Sequence, residues 1–328
     1  MARVLITAAP GGHSGYAYAI GYHLSRMGVE VHFLTVGEEW LVEKLSRVGR
    51  VHVAPMPRRP GEPLYKTLHR WPPALVKALR VVGEVKPSAL VACGSNFSIP
   101  PALSALLRGV PLYNVESIVR ILEPGRTPRI LHRFSRLTLL HWEEQLRHYP
   151  GGVVVGPIYE PPEAEPRDEG YILITAGTTG NPQLFEAAAR SGLGDSVVVQ
   201  TGAIDPAPYR RLRPKWRFIR FTPRLGELIA GARAVITQFP GMTSATAALS
   251  YRKPVVLVPA RHLRLSASLE NARIYASKIG AVYLEDVTPE ALEEAVERAQ
   301  RIPRPRHPEG ARRAAEIIAG GLEGEDPP

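Results

Sequence analysis

Two glycine-marked loops, half a chain apart, each follow an apolar strand and open an amphipathic helix. The first lies in Val4-Leu5-Ile6-Thr7-Ala8-Ala9-Pro10-Gly11-Gly12-His13-Ser14. The second lies in Tyr171-Ile172-Leu173-Ile174-Thr175-Ala176-Gly177-Thr178-Thr179-Gly180. A strand, glycine turn and helix in succession put bare backbone N–H groups and a helix N-terminus at the carboxyl end of a parallel sheet, a place suited to diphosphates. Two such units predict two Rossmann-like domains facing across a cleft, with a ligand between them.

The chain has 328 residues, right for two domains of about 150 each. Strands are predicted at 3–8, 29–35, 50–55, 88–93, 110–115, 136–141 and 153–155. Helices are predicted near 15–27, 38–48, 73–84 and 99–107, with another after 141. The stretch 158–169, rich in proline and acid without a hydrophobic period, reads as a semi-rigid linker. The pattern restarts with strands at 171–176, 196–200, 216–220, 233–237, 254–258 and 281–284. Helices at 182–191, 224–230, 243–251, 268–278, 288–301 and 309–320 accompany them, and 323–328 reads as a disordered tail. Such alternation implies parallel sheets covered by helices, an α/β fold. The expected division is 1–157, linker 158–169, a second domain 170–305, and a terminal helix with flexible tail at 306–328 that returns toward the first domain.

The charge is lopsided. Residues 1–156 hold 19 Lys and Arg against 10 Glu and no Asp, whereas 157–328 hold 22 basic against 21 acidic residues. A basic half points to an anionic surface or polymer. In 120–136, Arg120, Arg126, Arg129, Arg133 and Arg136 alternate with Ile121, Leu122, Ile130, Leu131 and Phe134, and 58–80 adds Tyr65 and Trp71 to a second basic stretch. These mixtures suit an anionic membrane interface; the bland reading is solvated charge beside core leucines. Neither stretch carries a nucleic-acid motif, so nucleic acid is not an expected partner. No apolar run approaches the roughly 18 residues of a membrane span, and no signal peptide precedes the first strand, so a cytoplasmic location is expected. One cysteine, Cys93, excludes a disulfide framework. Frequent Pro and Arg with scarce Asn and Gln resemble a thermophile's composition. His-Glu-x-x-His, Cys-x-x-Cys, Gly-x-Ser-x-Gly and Walker patterns are absent, and no metal site is expected.

Several loops compete with bland alternatives. Gly11, Gly12 and Ser14 frame a turn from which His13 projects, or form an ordinary turn with a surface histidine. Gly177, Thr178 and Thr179 add two hydroxyl donors to a glycine turn, or simply cap a helix. Gln200 and Gly202 end the next strand at the same edge, and Gly241, Met242, Thr243 and Ser244 follow a third. Three small-residue loops on one edge exceed what short polar connections require. Glu116 ends a strand of the first half and is placed to deprotonate a hydroxyl, or else pairs with Arg120.

Taken together, the motifs resemble a known family. Gly11-Gly12-His13-Ser14, Gly94-Ser95, Tyr113-Asn114-Val115-Glu116-Ser117-Ile118-Val119-Arg120, His141-Trp142-Glu143-Glu144-Gln145 and Gly156-Pro157 look like the acceptor subunit of a GT-B glycosyltransferase. That enzyme adds the second GlcNAc to lipid-diphosphate-linked GlcNAc in eukaryotic N-glycan assembly. Ile174 to Thr179, Val199-Gln200-Thr201-Gly202 and Lys253-Pro254-Val255-Val256-Leu257-Val258-Pro259 resemble its catalytic subunit. The chain looks like the two fused, acceptor part first, as in archaeal versions and the related bacterial MurG. The resemblance implies a GT-B fold and metal-independent, inverting transfer from UDP-GlcNAc, without a further cofactor, to a dolichyl- or polyprenyl-diphosphate sugar. It places the protein peripherally on the cytoplasmic membrane face, on an anionic surface and with a possible membrane-anchoring protein. It implies Glu116 as base, with His13 second or else a ligand of the acceptor diphosphate. Donor contacts fall to Gly177, Thr178, Thr179, Gln200, Gly202, Gly241, Met242, Thr243, Ser244 and Glu270, and acceptor contacts to Gly11, Gly12, Ser14, Asn96 and Arg120. The chain departs from the family at Tyr16, at Gln238-Phe239-Pro240, at Ala247 and at Ser266-Ala267-Ser268-Leu269. The alternatives are a UDP-GlcNAc 2-epimerase-like isomerase or a non-catalytic scaffold on the same fold.

Overall fold

A computed structural model describes residues 2–59, 61–261 and 267–325; Ser266 and the end of the expected tail, 326–328, lie outside them. The chain divides into two compact units, Met1–Glu160 with His307–Pro328, and Pro161–Arg306.

The first unit holds seven parallel strands: β1 (Arg3–Ala8), β2 (Glu30–Thr35), β3 (Arg50–Val53), β4 (Ala89–Ala92), β5 (Leu112–Val115), β6 (Leu137–Leu140) and β7 (Val153–Val154). Their order is β3-β2-β1-β4-β5-β6-β7. The second holds β8 (Tyr171–Thr175), β9 (Val197–Gln200), β10 (Arg217–Ile219), β11 (Ala232–Phe239), β12 (Val255–Pro259) and β13 (Val282–Tyr283), in the order β10-β9-β8-β11-β12-β13. In each sheet the first strand is central and the chain reverses direction beside it. That reversal opens a crevice at the carboxyl ends of β1 and β4, and again at β8 and β11. Both glycine loops named at the outset therefore sit at switch points.

Inner strands such as β4 and β12 are fully buried on both faces, so they read as unbroken apolar runs rather than alternating ones. The helix Pro289–Arg301 shows how the cover is made. Thr288 caps it by accepting from Ala291 N at 3.2 Å, and Leu292, Ala295, Val296 and Ala299 point into the second unit's core. Burying one such Leu or Val stabilises by roughly 1.5–3 kcal/mol.

The segment 310–323 folds back as a helix on the helix Gly12–Arg26 of the first unit. Its first residue is packed against the loop after β7: a Cβ on Gly310 would lie 2.3 Å from the Gly156 carbonyl oxygen. The helices Trp71–Val85 and Ile99–Leu106 pack together. Right-handed crossovers put them on the opposite face of the sheet.

Three features differ from the sequence reading, and the linker stretch gains detail. Residues 126–132 form a short helix that buries Thr127, Pro128 and Leu131. Ala207–Leu212 is another, started by Asp205 accepting from Ala207 N. The helix expected at 243–251 begins at Met242 and passes into a π-helical turn, Thr246–Ser250. The stretch 158–169 is pinned along its length. Ile158 N donates to His141 Nδ1 and Lys44 pairs with Glu160 at 2.6 Å, while Arg167 N and Glu169 N donate to Ala230 and Gly231.

Candidate active site

In the first unit the loops after β1, β4 and β5 converge. Gly11 has φ +87°, outside the range of most side chains, and its turn is closed by Ser14 Oγ, which donates to the Gly11 carbonyl at 2.7 Å. Ser14 is thereby buried and spent on the turn, not offered to a ligand as expected. Gly12 opens the helix. His13 is half-buried, with Nδ1 2.8 Å from the Cys93 carbonyl. A carbonyl only accepts, so the proton sits on Nδ1 and Nε2 is left as the basic nitrogen. Burial lowers the His13 pKa, so the ring is neutral at neutral pH.

The loop after β4 is built around that ring. Gly94 has φ +79°, and a Cβ there would lie 2.9 Å from His13 Nδ1. Next to it Ser95 holds φ +63° and ψ +154°, a region nearly reserved for glycine that costs on the order of 1–3 kcal/mol. Its side chain accepts from Phe97 N. A buried hydroxyl chain ties the loop down: Thr7 Oγ1 meets Ser98 Oγ at 2.6 Å, Ser98 Oγ donates to Gly94 O, and Cys93 N donates to Thr7 Oγ1. Asn96 Oδ1 is buried without a partner among the described residues.

Glu116 corrects an expectation. Its side chain is 0 % exposed. Oε1 accepts from Ser117 N at 2.6 Å, and Oε2 accepts from Gly125 N at 2.8 Å and from the Tyr149 hydroxyl. A Cβ on Gly125 would stand 2.7 Å from Oε1, so only glycine lets the loop close on the carboxylate. Burial pushes the Glu116 pKa up, against those three donors, which hold it down. With both oxygens enclosed it shapes the 116–125 loop and is not placed to receive a substrate proton. Arg120 pairs with Glu123 at 3.3 Å, and its charge also helps to lower the Glu116 pKa. Tyr16, at the family's acidic position, accepts from Ile118 N at 3.0 Å and so fixes the same loop. Thr7, Tyr16, Ser98 and Tyr149 escaped the sequence reading of the site; only Tyr16 had a signal, as a departure from the family pattern.

In the second unit the loops after β8 and β9 interlock. Gly177 has φ +63° with open space beside it, and Thr178 and Thr179 are exposed. Gly202 has φ +61°, and a Cβ on it would lie 2.5 Å from the Gly177 carbonyl and 2.6 Å from that of Thr178. Ala203 N donates to Thr178 O at 2.8 Å, closing the contact. Gln200 is buried beneath, its Oε1 accepting from Thr175 Oγ1. Gln238 Nε2 donates to the Ala176 carbonyl at 2.8 Å, so the residue in the family's histidine position braces the Gly177 loop from β11. Thr201 Oγ1 and Gln238 Oε1 are buried without partners among the described residues.

The turn after β11 is less open than expected. Ser244 Oγ donates to the Gly241 carbonyl at 3.0 Å and meets Tyr275 OH at 2.9 Å, and Met242 is buried. Both support the turn from inside, which corrects their expected donor contacts; Gly241 and Thr243 remain half-exposed. Ala247 is fully buried in the π turn. Glu270 is exposed in the first turn of the helix Leu269–Ile279, capped by Ser268, which accepts from Asn271 N. Among the described residues no group of three or more His, Cys, Asp or Glu is placed to hold a metal ion.

No protein-family profile matches the chain. It is 24% identical over 231 residues, 65% of this chain and 67% of the relative, to a Rubrobacter xylanophilus UDP-N-acetylglucosamine–N-acetylmuramyl-(pentapeptide) pyrophosphoryl-undecaprenol N-acetylglucosamine transferase. It is 26% identical over 304 residues, 87% of this chain and 82% of the relative, to the Synechococcus sp. (strain JA-3-3Ab) protein of that name. The first relatives are thus matched over about two thirds of their length. Among solved structures, Acinetobacter baumannii MurG superposes with a TM-score of 0.61 at 20% identity, covering 97% of this chain and 99% of that one. UDP-GlcNAc 2-epimerase from Neisseria meningitidis gives 0.63 at 15% identity, covering 98% and 100%. The chain is similar in sequence to MurG-type transferases, and its two Rossmann-like domains with parallel sheets form the GT-B fold.

Proposed function

We propose that the chain is a UDP-GlcNAc-dependent N-acetylglucosaminyltransferase, inverting and metal-independent, acting on a polyprenyl- or dolichyl-diphosphate-linked sugar in N-glycan or cell-surface glycan assembly. The observation that carries the reading is the fixed tautomer of His13, whose Nε2 is left as base in a chain similar to transferases of that donor. A sugar hydroxyl is a weak nucleophile at neutral pH, and a positioned base contributes roughly 10²–10⁴-fold. His13 Nε2 takes the acceptor proton as the hydroxyl oxygen bonds the anomeric carbon and UDP departs from the opposite face. Cys93 and Gly94 set the ring's orientation, and Glu116 shapes the neighbouring loop. In the second unit the Gly177–Thr179 loop, Gly202, Gly241 and Thr243 are assigned to UDP. Backbone N–H groups and the Thr178 and Thr179 hydroxyls meet the charge that develops on its diphosphate. Glu270 is assigned to the donor ribose, and Gly11, Gly12, Asn96 and Arg120 to the acceptor.

The lipid-linked acceptor places the protein peripherally on the cytoplasmic membrane face. No helix among the described residues is long and apolar enough to cross a membrane. Binding is assigned to the first unit, where Tyr65, Leu68, Val76, Leu107, Ile130 and Phe134 are exposed among the basic residues. A membrane-anchoring partner is compatible with this arrangement.

UDP release from UDP-GlcNAc, with and without a short-chain lipid-diphosphate-GlcNAc, tests the reading. Release that requires the acceptor is expected. Formation of UDP-ManNAc from UDP-GlcNAc alone would replace it with an isomerase, a reading that the fold likeness to 2-epimerases keeps in view.

A further inference from the structure

A cavity of about 760 Å³ opens at the carboxyl ends of β1, β2 and β3, beside the His13 loop and apart from the residues assigned above. Its volume falls within the roughly 300–1,000 Å³ of small-molecule sites. Its apolar wall includes Val36, Val53 and Met56, and Pro10, which leads into Gly11-Gly12-His13, forms one side. Two cations, Arg59 and Lys77, and one carboxylate, Glu38, also line it. Glu38 is engaged, accepting from Trp40 Nε1 at 2.8 Å.

Neither cation is held in a direct ion pair among the described residues, although the Arg59 charge helps to lower the Glu62 pKa. The acid nearest Arg59 in sequence, Glu62, is spent on Arg70, at 3.1 and 2.9 Å, and on the Arg59 backbone N–H at 2.8 Å. Neither the Arg59 guanidinium nor the Lys77 ammonium makes an ion pair or side-chain hydrogen bond among the described residues. Lys77 is half-buried, so its stem lies along the apolar wall while its ammonium reaches the cavity mouth. Two unpaired cations against an apolar surface fit an amphiphile with a concentrated anionic head. Leu64, Tyr65 and Leu68 lie exposed in the connection between Arg59 and the Lys77 helix, offering further apolar surface to a chain leaving the cavity.

We propose that this cavity binds the prenyl diphosphate of the acceptor, with the diphosphate on Arg59 and Lys77 and the first isoprene units along Val36, Val53 and Met56. The assignment rests on the acceptor being a lipid-linked diphosphate. Pro10 then directs the sugar end toward His13. The diphosphate is held by side chains of the β3-to-β4 connection rather than by the Gly11 turn.

Calorimetric titration of the full chain with farnesyl diphosphate, inorganic diphosphate, farnesol and dihexanoyl phosphatidylglycerol tests it. Farnesyl diphosphate is expected to bind at least about tenfold more tightly than the other three, and Arg59→Gln and Lys77→Met each to weaken it about tenfold, the effect of one charge-assisted contact. Val53→Trp, which fills the cavity, should abolish binding. Equal affinity for farnesyl and inorganic diphosphate, unchanged affinity in the variants, or phosphatidylglycerol binding as tightly would overturn the proposal. Arg59 is exposed, so Arg59→Gln decides the matter if Lys77→Met unfolds. Acceptor turnover in the same preparation separates the two readings. Turnover that farnesyl diphosphate does not inhibit sinks the cavity assignment alone, whereas no turnover with any lipid-diphosphate sugar sinks the transferase.

Discussion

The His13 imidazole lies over Gly94 so closely that a Cβ on the glycine would stand 2.9 Å from Nδ1, while that nitrogen donates to the Cys93 carbonyl beside it. The strand end therefore fixes both the plane and the tautomer of the ring. His13 is the proton acceptor in the proposed reaction, and His13→Ala is expected to lower turnover by roughly 10²–10⁴-fold while leaving UDP affinity intact. The pH profile is informative as well. Burial lowers the His13 pKa below 6.5, and the base must be neutral to act. Turnover should fall only below that value and stay flat above it, a limb that initial rates over pH 5 to 8 will locate.

Glu116 gives the opposite expectation. Its two oxygens accept from Ser117 N, Gly125 N and Tyr149 OH, and a glutamine there turns an NH₂ toward one of these donors. Glu116→Gln should cost about 2–3 kcal/mol and lower the melting temperature by roughly 5–10 °C. Turnover per folded molecule should persist below that transition. A fully folded variant with turnover lost would return Glu116 to the role of base.

The contrast between these residues marks what a sequence discloses. The sheets were legible because parallel strands buried on both faces are continuous apolar runs punctuated by glycine. The turns that carry His13 and Gly177 were legible because a glycine between an apolar strand and a helix is a local signal. The role of Glu116 was not, because Tyr149 lies 33 residues away and Gly125 nine, and nothing in the Asn114-Val115-Glu116 strand end announces them. The Thr7–Ser98 pair spans 91 residues for the same reason. The helices at 126–132 and 207–212 escaped because segments of seven and six residues draw their stability from tertiary burial rather than intrinsic propensity.

The loops proposed to hold UDP permit a graded test. Gly202→Ala drives a Cβ into two backbone carbonyls, neither of which can swing away, and adds strain at φ +61°. About 2 kcal/mol of distortion, near a thirtyfold loss of UDP affinity, is expected. Gly177→Ala meets only the left-handed backbone cost of roughly 1 kcal/mol, because nothing lies within 4 Å of its added Cβ. UDP-induced shifts in melting temperature should rank wild type, Gly177→Ala and Gly202→Ala in descending order.

His141 links the first unit's stability to pH. Its Nε2 donates to the Glu116 carbonyl at 2.8 Å, and Nδ1 accepts from Ile158 N at 3.0 Å. Burial depresses its pKa from 6.5 to about 4. Between those values the unfolded chain binds the proton and the folded chain does not, so stability is present above 6.5 and lost as pH falls toward 4. The difference corresponds to roughly 3 kcal/mol. In His141→Gln that increment of the slope should vanish, so denaturation midpoints of variant and wild type should converge on acidification.

The apolar and basic face of the first unit leads to the last expectation. Leu64, Tyr65 and Leu68 are exposed within the basic 58–80 stretch, and Ile130 and Phe134 within the basic 120–136 stretch. Each cation near an anionic surface contributes about 1 kcal/mol, a contribution that salt screens, whereas the apolar side chains add a part that salt leaves unchanged. Flotation with vesicles containing phosphatidylglycerol should retain the protein at low ionic strength and release most of it at high salt. Tyr65→Ser with Leu68→Ser should weaken retention at every salt concentration without changing its slope. Equal retention by neutral and anionic vesicles would refute the electrostatic part, and an unaltered double variant would move the contact to another face.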